Sequence, residues 1–571
     1  MAYKSPGVRV TNQFQPIANP AIGGDRMLAI VGKVSSNLNL FPRVIIEARK
    51  ENLGPDNVTF SIPDPFLGTI SDINRVTSIW QGASSYNKAS ESYILTATHT
   101  TSGGTDIVTT TFTTPASGMV VLGIYAKSGS TFNKYTVDDD YTITLDNNGS
   151  GGTLRVHVDW SPSGKEPAEG SNYKVLLADS SVDYSVAVDD TVEGEVTLYI
   201  YWKTGVGPES GSAYLIEAIS PFPYDRQIVT STDDVFRLFG PILDPTNPDP
   251  SNSSCVNQLS MAAYLAFSEG AGQLMLVPYD DSVLTATEAL NLLKSDDLVN
   301  IVTGIDSTAI TAGGTSLNDK IIAHVEDASS QQIQKFRIGL LNPTVGTFNS
   351  AKTSYTNMTK IADSRRIIII GPSQFTFKVP IPGTGEYVDF KTDGGYGGVI
   401  FGAMMSRAEY DVATSMLQKP SRTIYKIRRD NDWDDRKMDI IAALGVTLFQ
   451  KIDGAYRCRE DITTSQSGTI LESEPIITMI SDNIAKSAIR ILNAAVIGSK
   501  LLLPTTLQNI KARLMSMLED KTKPPSIIIG YGAPIITVDS NDPRKINVVI
   551  PVQPVQKTRE INITFSYVSS L

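Results

Sequence analysis

From residue 254 to residue 370 the apolar positions switch between two rhythms. Leu274–Val277, Leu298–Val302, Phe336–Leu341 and Arg366–Ile370 are short, largely apolar runs. Such runs predict strands buried on both faces. Between them apolar residues recur every three or four positions. Val256, Leu259, Ala263 and Phe267 form one helical stripe, with Ser254 placed to cap it and Gly270 to end it. Further helices are predicted near Thr287–Lys294, over Leu317–Ala328 and near Ala351–Ala362. Leu28–Val31, ended by Gly32, adds an earlier buried strand. Strands and helices alternating in this way predict a parallel sheet covered on both faces.

The rhythm loosens after residue 370. Phe375–Phe390 reads as a hairpin around Pro382-Gly383, and a helix is predicted over roughly Gly398–Met416. Val446–Ile452 and Tyr456–Ile462 flank Asp453-Gly454, a dipeptide that accepts positive φ and so predicts a tight hairpin. After Pro475, Ile477, Ile480, Ile484, Ala488, Ile491 and Ala495 step by three and four, which predicts a long helix ending near Gly498. A second helix from Thr505 turns Leu507, Ile510, Leu514 and Leu518 inward and carries Lys511 and Arg513 outside. Strands Ile527–Ile529 and Ile535–Val538 follow, then Ile546, Val548 and Ile550 on another. In the last stretch Ile561, Ile563, Phe565 and Tyr567 alternate with polar residues, the period of a strand with one apolar face. Pro551 and Pro554 interrupt the run between these two strands, so Pro551 to Lys557 reads as a stiff connector.

Residues 46–214 differ in kind. Ser, Thr and Gly dominate, and short alternating runs such as Ser92–Thr98, Ile107–Phe112, Val120–Tyr125, Tyr141–Leu145, Thr153–Val158 and Glu195–Tyr201 are separated by turn signals. This predicts one or two β-sandwiches or barrels. An internal echo, KYTVDDDYTITLDNNGSGGTLRVHV (134–158) against DYSVAVDDTVEGEVTLYIYW (183–202), favours two. Asp138–Asp140 and Asp189–Asp190 recur in it; they fit solvated turns better than calcium ligands, because no EF-hand spacing is present. Residues 1–27, punctuated by Pro6, Gly7, Pro16, Pro20, Gly23 and Gly24, read as an extended arm with Val8 and Val10 on a very short strand.

Composition narrows the function classes. Charged residues make up 19%, below the ~25% of an average globular protein, so the surface is largely neutral and polar. A net charge of −11 disfavours a nucleic-acid partner. Cys255 and Cys458 are the only cysteines and form no disulfide framework or metal motif; buried reduced thiols are expected. The opening residues contain no apolar signal core, and no apolar run approaches the ~18 residues of a membrane span, which predicts a soluble protein made in a cytoplasm with no direct membrane binding.

Motifs for catalysis are missing. There is no Walker A sequence, no GxGxxG opening a helix, no HExxH and no GxSxG. Gly313-Gly314-Thr315-Ser316 either cradles a phosphate or simply opens a helix with Ser316 as cap. His99, His157 and His324 show no metal spacing, and His324 reads as a packing residue. Adjacent carboxylates such as Asp434-Asp435 lack the facing geometry of acid–base pairs, and the charged run Arg428–Lys437 around Trp433 reads as a solvated face or interface. No catalytic residue, cofactor or metal is assigned, and the expectation is a protein that is not an enzyme.

Several segments, in order, resemble the tail sheath proteins of contractile bacteriophages. YKSPGVRV (3–10) is similar to that family's opening, and VTSTDDVFRLFG (229–240) to its acid-and-FG segment. NQLSMAAYLAFSEGAGQLMLVPY (257–279) is similar to its helix, glycine turn and strand. ALGVTLFQKIDGAYRCREDITT (443–464) resembles its late hairpin, with Arg459 near the family's arginine, and INVVIPVQPVQKTREINITF (546–565) resembles its closing strands. The resemblance covers roughly 1–35 and 225–571.

The resemblance and the periodicity together imply an α+β/α/β multidomain protein. Its α/β core has a mixed sheet, extended N- and C-terminal strand arms and an inserted all-β, sandwich- or barrel-like region. The expected layout is an arm at 1–27, a first core part at 28–45 and 215–395, an outer β-rich insertion at 46–214, a second α/β core part at 396–543 and a strand arm at 544–571.

As function, the resemblance implies a homo-oligomer of stacked six-membered rings forming a helical sheath. The arms of its subunits add strands to neighbours. Contraction drives an inner tube through the host envelope, leading to genome ejection. Pro6, Gly7, Val8 and Val10 would pair in the N-terminal arm, and Ile561, Ile563, Phe565 and Tyr567 in the C-terminal arm. Ile546, Val548 and Ile550 would form the acceptor strand, and Lys511 and Arg513 would face the tube. Implied partners are the tail tube, baseplate and tail terminator proteins, in a virion assembled in the host cytoplasm. The alternatives are the sheath of a phage-derived injection system, an α/β nucleotide-dependent enzyme and a β-rich virion adhesin.

Overall fold

A computed structural model describes residues 26–557 apart from 35–36, 38–39, 50–55, 62–75, 82–83, 87–91, 101–103, 110–118, 129–130, 136–139, 148–153, 162–165, 180–182, 190–194, 203–206, 220–224, 282–283, 382–383, 408, 428–432, 499–503 and 543. The chain divides into two units. One contains Met1–Leu40 and Pro223–Leu571, and the other is Phe41–Phe222. Strand β1 (Met27–Lys33) belongs to the first, and all but its last residue are buried.

The second unit is all β among its described residues. Its strands are β2 (Arg43–Arg49), β3 (Asp56–Ser61), β4 (Val76–Gln81), β5 (Ser84–Tyr86), β6 (Ser92–Thr98), β7 (Thr105–Thr109) and β8 (Met119–Ser128). They continue with β9 (Thr131–Tyr135), β10 (Tyr141–Asn147), β11 (Leu154–Trp160), β12 (Asn172–Asp179), β13 (Tyr184–Asp189), β14 (Glu195–Trp202) and β15 (Ala213–Ile219). They form four sheets, ordered β10-β11-β7, β6-β12-β8-β9, β13-β14-β3 and β2-β15-β4-β5. The first two sheets have the same strand order as the last two. The correspondence reaches side chains. Tyr141 is paired with Trp160, and Tyr184 with Trp202. Trp160 meets Tyr173 edge-on with ring centroids 5.2 Å apart, and Trp202 meets Tyr214 edge-on at 5.5 Å. Tyr173 lies opposite Ala97, and Tyr214 opposite Ala48; Val175 lies opposite Ile124, and Ile216 opposite Ile79. In both copies Pro-x-x-Gly-Ser-x-Tyr (167–173 and 208–214) closes a turn whose glycine, Gly170 or Gly211, has φ of 79° or 76°. One sandwich, β6–β12, is therefore nested between β5 and β13 of the other.

The first unit is built on an eight-stranded sheet. Its remaining strands are β16 (Gln227–Val229), β17 (Leu274–Tyr279), β18 (Val299–Gly304), β19 (Ile338–Leu341), β20 (Ile367–Gly371), β21 (Phe375–Pro380), β22 (Tyr387–Lys391), β23 (Ile424–Ile427), β24 (Val446–Ile452) and β25 (Ala455–Glu460). The last four are β26 (Ile528–Tyr531), β27 (Ile535–Val538), β28 (Ile546–Val549) and β29 (Val552–Pro554). The sheet order is β16-β17-β1-β18-β19-β20-β24-β25, parallel from β17 to β24 and antiparallel at both edges.

Its helices are α1 (Thr232–Phe239), α2 (Gln258–Glu269), α3 (Ala286–Lys294), α4 (Leu317–Ala328), α5 (Phe348–Ile361), α6 (Tyr396–Met405), α7 (Asp435–Ala442), α8 (Ile470–Ser473), α9 (Pro475–Ala495) and α10 (Thr505–Thr522). Helices α3, α4, α5 and α7 share one apolar cluster with Met27, Ala29 and Val31 of β1. Helix α6, every residue of which is buried, lies on the opposite face. A Cβ at its Gly402 would stand 2.7 Å from Leu28. The parallel strands are apolar on both faces because both faces are covered.

Three local expectations give way to tertiary partners. Helix α2 starts at Gln258, not at Ser254. The Asn257 side chain caps it by accepting from Ser260 N, while its amide donates to the carbonyls of Phe239 and Leu40. Ser254 instead lies in a single 3-10 turn, and Val256 pairs with Leu243. The helix expected to reach Met416 ends at Met405, because Arg407 turns into a buried ion pair with Glu269. The supposed connector Pro551–Lys557 contains β29, which pairs with β26, so it is part of the folded body.

Candidate assembly site

Helices α9 and α10 bring Ile484, Ala488 and Leu492 against Ile510, Leu514, Met517 and Leu518. The spacing of three and four puts these residues on facing stripes. Two antiparallel ribbons, β26–β29 and β27–β28, close the same cluster from outside. In β28 the half-buried Ile546 and Val548 alternate with exposed Asn547 and Val549. Ile535 and Val549 face each other across the second ribbon, and their side chains are 58% and 61% exposed; Ile529 of the first ribbon is 61% exposed. Isolated two-stranded ribbons are marginal in water. These are held by their inner faces, with apolar side chains left outward.

The edges of the two kinds of sheet are treated differently. On the large sheet, β16 is only three residues long, and β25 is covered by residues 418–421. That cover is made by Gln418 N to Cys458 O (2.7 Å), Cys458 N to Lys419 O (3.0 Å) and Ser421 N to Tyr456 O (2.8 Å). Short or covered edges resist strand addition. Among the described residues each ribbon has two strands and nothing further paired to its edges.

The described chain ends in a buried polar seat. Lys557 Nζ donates to Asp461 O at 2.8 Å and to the Asp461 carboxylate, and lies 3.9 Å from Glu474 Oε1. The three side chains are each no more than 3% exposed. Asp461 Oδ2 also accepts from Ser415 Oγ (2.7 Å) and Met416 N (2.8 Å).

The residues singled out in the sequence fall in distinct places. Pro6, Gly7, Val8 and Val10, and Ile561, Ile563, Phe565 and Tyr567, lie outside the described residues. Ile546, Val548 and Ile550 turn toward the helices, so an incoming strand would meet the backbone edge of β28 and not their side chains. Lys511 and Arg513 are exposed on α10, where Arg513 Nε donates to Asn509 Oδ1 at 2.8 Å.

The chemistry candidates resolve into structural roles. Gly313–Ser316 opens α4 as a plain helix start, with Ser316 as its cap. The Asp319 carboxylate occupies that helix start, accepting from Thr311 N at 3.0 Å and Ser316 Oγ at 2.6 Å. At the carboxyl end of β19, where open α/β sheets take ligands, the start of α6 is packed. Asn342 accepts from Gly395 N and Gly397 N and donates to Ile370 O. His324 accepts from Arg337 at 2.6 Å; burial first, then the neighbouring Arg337 charge, lower its pKa to about 3, so it is neutral. His99 pairs with buried Asp106 at 2.9 Å, and His157 with Asp146 at 3.0 Å. Burial pushes the Asp106 carboxyl up, but hydrogen bonds from His99, Thr100 and Trp160 outweigh it and hold the pKa below the usual value. Of the charged run 428–437, residues 428–432 lie outside the described residues and Asp434, Asp435 and Arg436 are exposed, but Trp433 is not on a solvated face. It is buried edge-on to Phe348 at 6.2 Å, and Asp434 beside it caps α7. Arg459 ties the β24–β25 hairpin to α7 through Asp439 and also donates to Gln450 of β24, whose amide in turn donates to Asp435 of α7. Cys255 and Cys458 are both buried and unbridged.

The fold is thus that of a mixed α/β protein with a large mixed sheet and several small sheets. Solved structures to which it is similar include contractile sheath and sheath tail proteins. One is the helical sheath of the anti-feeding prophage in its contracted state, at 13% identity and a TM-score of 0.44, covering 60% of this chain and 88% of that one. Another is the contracted sheath of the PVC extracellular contractile injection system, at 11% identity and a TM-score of 0.44, covering 60% and 87%. A third is the sheath tail protein from Desulfitobacterium hafniense, at 10% identity and a TM-score of 0.35, covering 96% and 100%. No protein-family model and no curated protein matches the chain.

Proposed function

We propose that this protein is the structural subunit of a contractile sheath, polymerising around an inner tube by strand exchange between copies. The observation that carries the reading is the contrast between blunted edges on the large sheet and apolar-faced C-terminal ribbons to whose edges no further strand is paired among the described residues. Those ribbons are followed directly by the alternating sequence Ile561–Tyr567. A strand added to β27 or β28 would complete the ribbon and shield Ile535 and Val549. Each net hydrogen bond contributes only about 0.5–1.5 kcal/mol, so the mesh gains strength by repetition over every subunit.

In this reading residues 3–10 supply a second exchanged strand, Phe41–Phe222 lies outside the sheath, and Lys511 and Arg513 meet the tube. The partners are further copies in stacked hexameric rings, the tube, and the baseplate and terminator at its ends. The particle is a phage tail built in the host cytoplasm. The role is structural, not catalytic. Asp319 and the start of α6 occupy the positions at which a nucleotide-dependent enzyme would hold its ligand.

Electron microscopy of the purified full chain tests this. Helical tubes are expected, and removal of residues 558–571 is expected to leave circular dichroism unchanged while abolishing the tubes. Normal tubes after that deletion would refute strand exchange at this end.

A further inference from the structure

Glu269 is the last residue of α2, where a carboxylate opposes the helix dipole. Nor does it cap the helix, because Gly270 N already closes the last turn onto Ala266 O and Phe267 O. Its fully buried carboxylate instead collects donors from far along the chain. Arg407 donates to it, as do Arg422 N at 2.9 Å, Thr423 N at 3.1 Å, Ser421 Oγ at 2.8 Å and Thr423 Oγ1 at 2.6 Å. The Arg407 guanidinium reaches the same segment directly, donating to Pro420 O at 2.8 Å. Residues 415–423, whose far end is held by Asp461 through Ser415 Oγ and Met416 N, are those that run along β25. Met416 is the one buried residue among these nine, so apolar burial gives the segment little hold of its own. Gln418 within it has φ of 61°, a left-handed conformation that costs a residue other than glycine free energy.

We infer that residues 415–423 are a strap over the edge of the large sheet and that Glu269 is its clasp, a positioning residue whose loss lets the strap lift from β25. Without the carboxylate, the buried Arg407 charge and the N–H groups of residues 422 and 423 lose their acceptor. Such groups must then meet water, and water reaches them only if the strap end rises. Lifting it frees Cys458 N from Lys419 O, and frees Cys458 O and Tyr456 O from Gln418 N and Ser421 N. An edge strand with its outward backbone groups uncovered is a template for pairing with another strand. The clasp thus keeps the sheet closed at eight strands, and this holds whether or not the protein forms a sheath.

Hydrogen exchange on the dilute full-length chain, resolved to single amides, tests the clasp. In Glu269→Gln, exchange at Gln418, Ser421 and Cys458 is expected to accelerate together by about 100-fold or more, with the amides of β18 unchanged. Where Glu269→Gln fails to fold, the double variant Ser421→Ala/Thr423→Val decides. It removes only the two hydroxyl donors, leaves the Arg407 pair in place, and is expected to accelerate the same three amides by about 10-fold. Wild-type protection at those amides in the deciding variant would overturn the clasp. Equal acceleration in β18 would mean general destabilisation and would overturn it too. Faster exchange at Ser421 with Cys458 still protected would show that Glu269 holds only the turn at 421–423, and would overturn the strap.

Discussion

Arg366 grips Asp482 through two parallel hydrogen bonds of 2.6 Å each, joining the start of β20 to α9 across 116 residues of sequence. Both side chains are nearly buried, at 5% and 10% exposed. A charge left alone there has no water to turn to. Asp482→Asn is expected to cost about 3–5 kcal/mol, read as a lower urea midpoint with unchanged slope. Replacing both partners by apolar residues of similar volume, Arg366→Met with Asp482→Leu, is expected to cost clearly less than the single change.

His324 gives the fold a pH dependence. Its pKa is about 3 in the folded chain, against about 6.5 when unfolded. Between those values the unfolded chain takes up a proton that the folded chain does not. The contribution is therefore complete above about pH 6.5 and is lost as pH falls toward 3, at up to about 1.4 kcal/mol per pH unit. His324→Gln retains an acceptor for Arg337 without titrating. Urea unfolding at pH 7, 6, 5 and 4 is expected to show a shallower loss for the variant than for wild type.

Helix α6 reverses an ordinary rule. Gly to Ala in an exposed helix stabilises by roughly 1 kcal/mol. At Gly398 a Cβ would strike the Thr303 hydroxyl and stand 3.1 Å from the Leu340 carbonyl oxygen. Backbone there cannot step aside as a flexible side chain can. Gly398→Ala is expected to lose about 1–3 kcal/mol, visible as a drop in thermal midpoint.

The nested sandwich is expected to be removable. Its strands β6–β12 form their own core around Trp160 and Tyr173, and β2–β5 with β13–β15 form the second around Trp202 and Tyr214. Excising residues 88–182 with a short Gly-Ser linker is expected to leave Trp202 buried, with blue-shifted fluorescence and cooperative unfolding. Red-shifted emission from the isolated Phe41–Phe222 fragment carrying this excision would show that the outer sandwich needs its guest.

The start of α2, expected to be capped by Ser254 and capped instead by Asn257, shows how far local sequence reaches. Ser254 and Asn257 are both good N-caps. Asn257 prevails because its amide also reaches the carbonyls of Phe239 and Leu40, partners that its neighbours in sequence do not reveal. The internal echo at 134–158 and 183–202 marks equivalent hairpins, Tyr141 with Trp160 and Tyr184 with Trp202. The rest of the repeat was hidden because the guest separates β2 from β15, so Ala48 meets Tyr214 while Ala97 meets Tyr173. The recurring Pro-x-x-Gly-Ser-x-Tyr was the signal that would have completed it.

By itself, the sequence determined what depends on neighbours along the chain. The parallel strands follow from apolar runs, α4 from the period and its Ser316–Asp319 capping box, and the β24–β25 turn from Asp453-Gly454 at φ of 50° and 81°. Tertiary structure alone decided which of those elements bear on one another: Arg366 on Asp482, Arg407 on Glu269, and Lys557 on Asp461. A buried charge is tolerated only where its partner is brought to it. Those partners lie 96 residues or more away, beyond the reach of any periodicity, so the anchoring of Pro551–Lys557 became visible only in the folded chain.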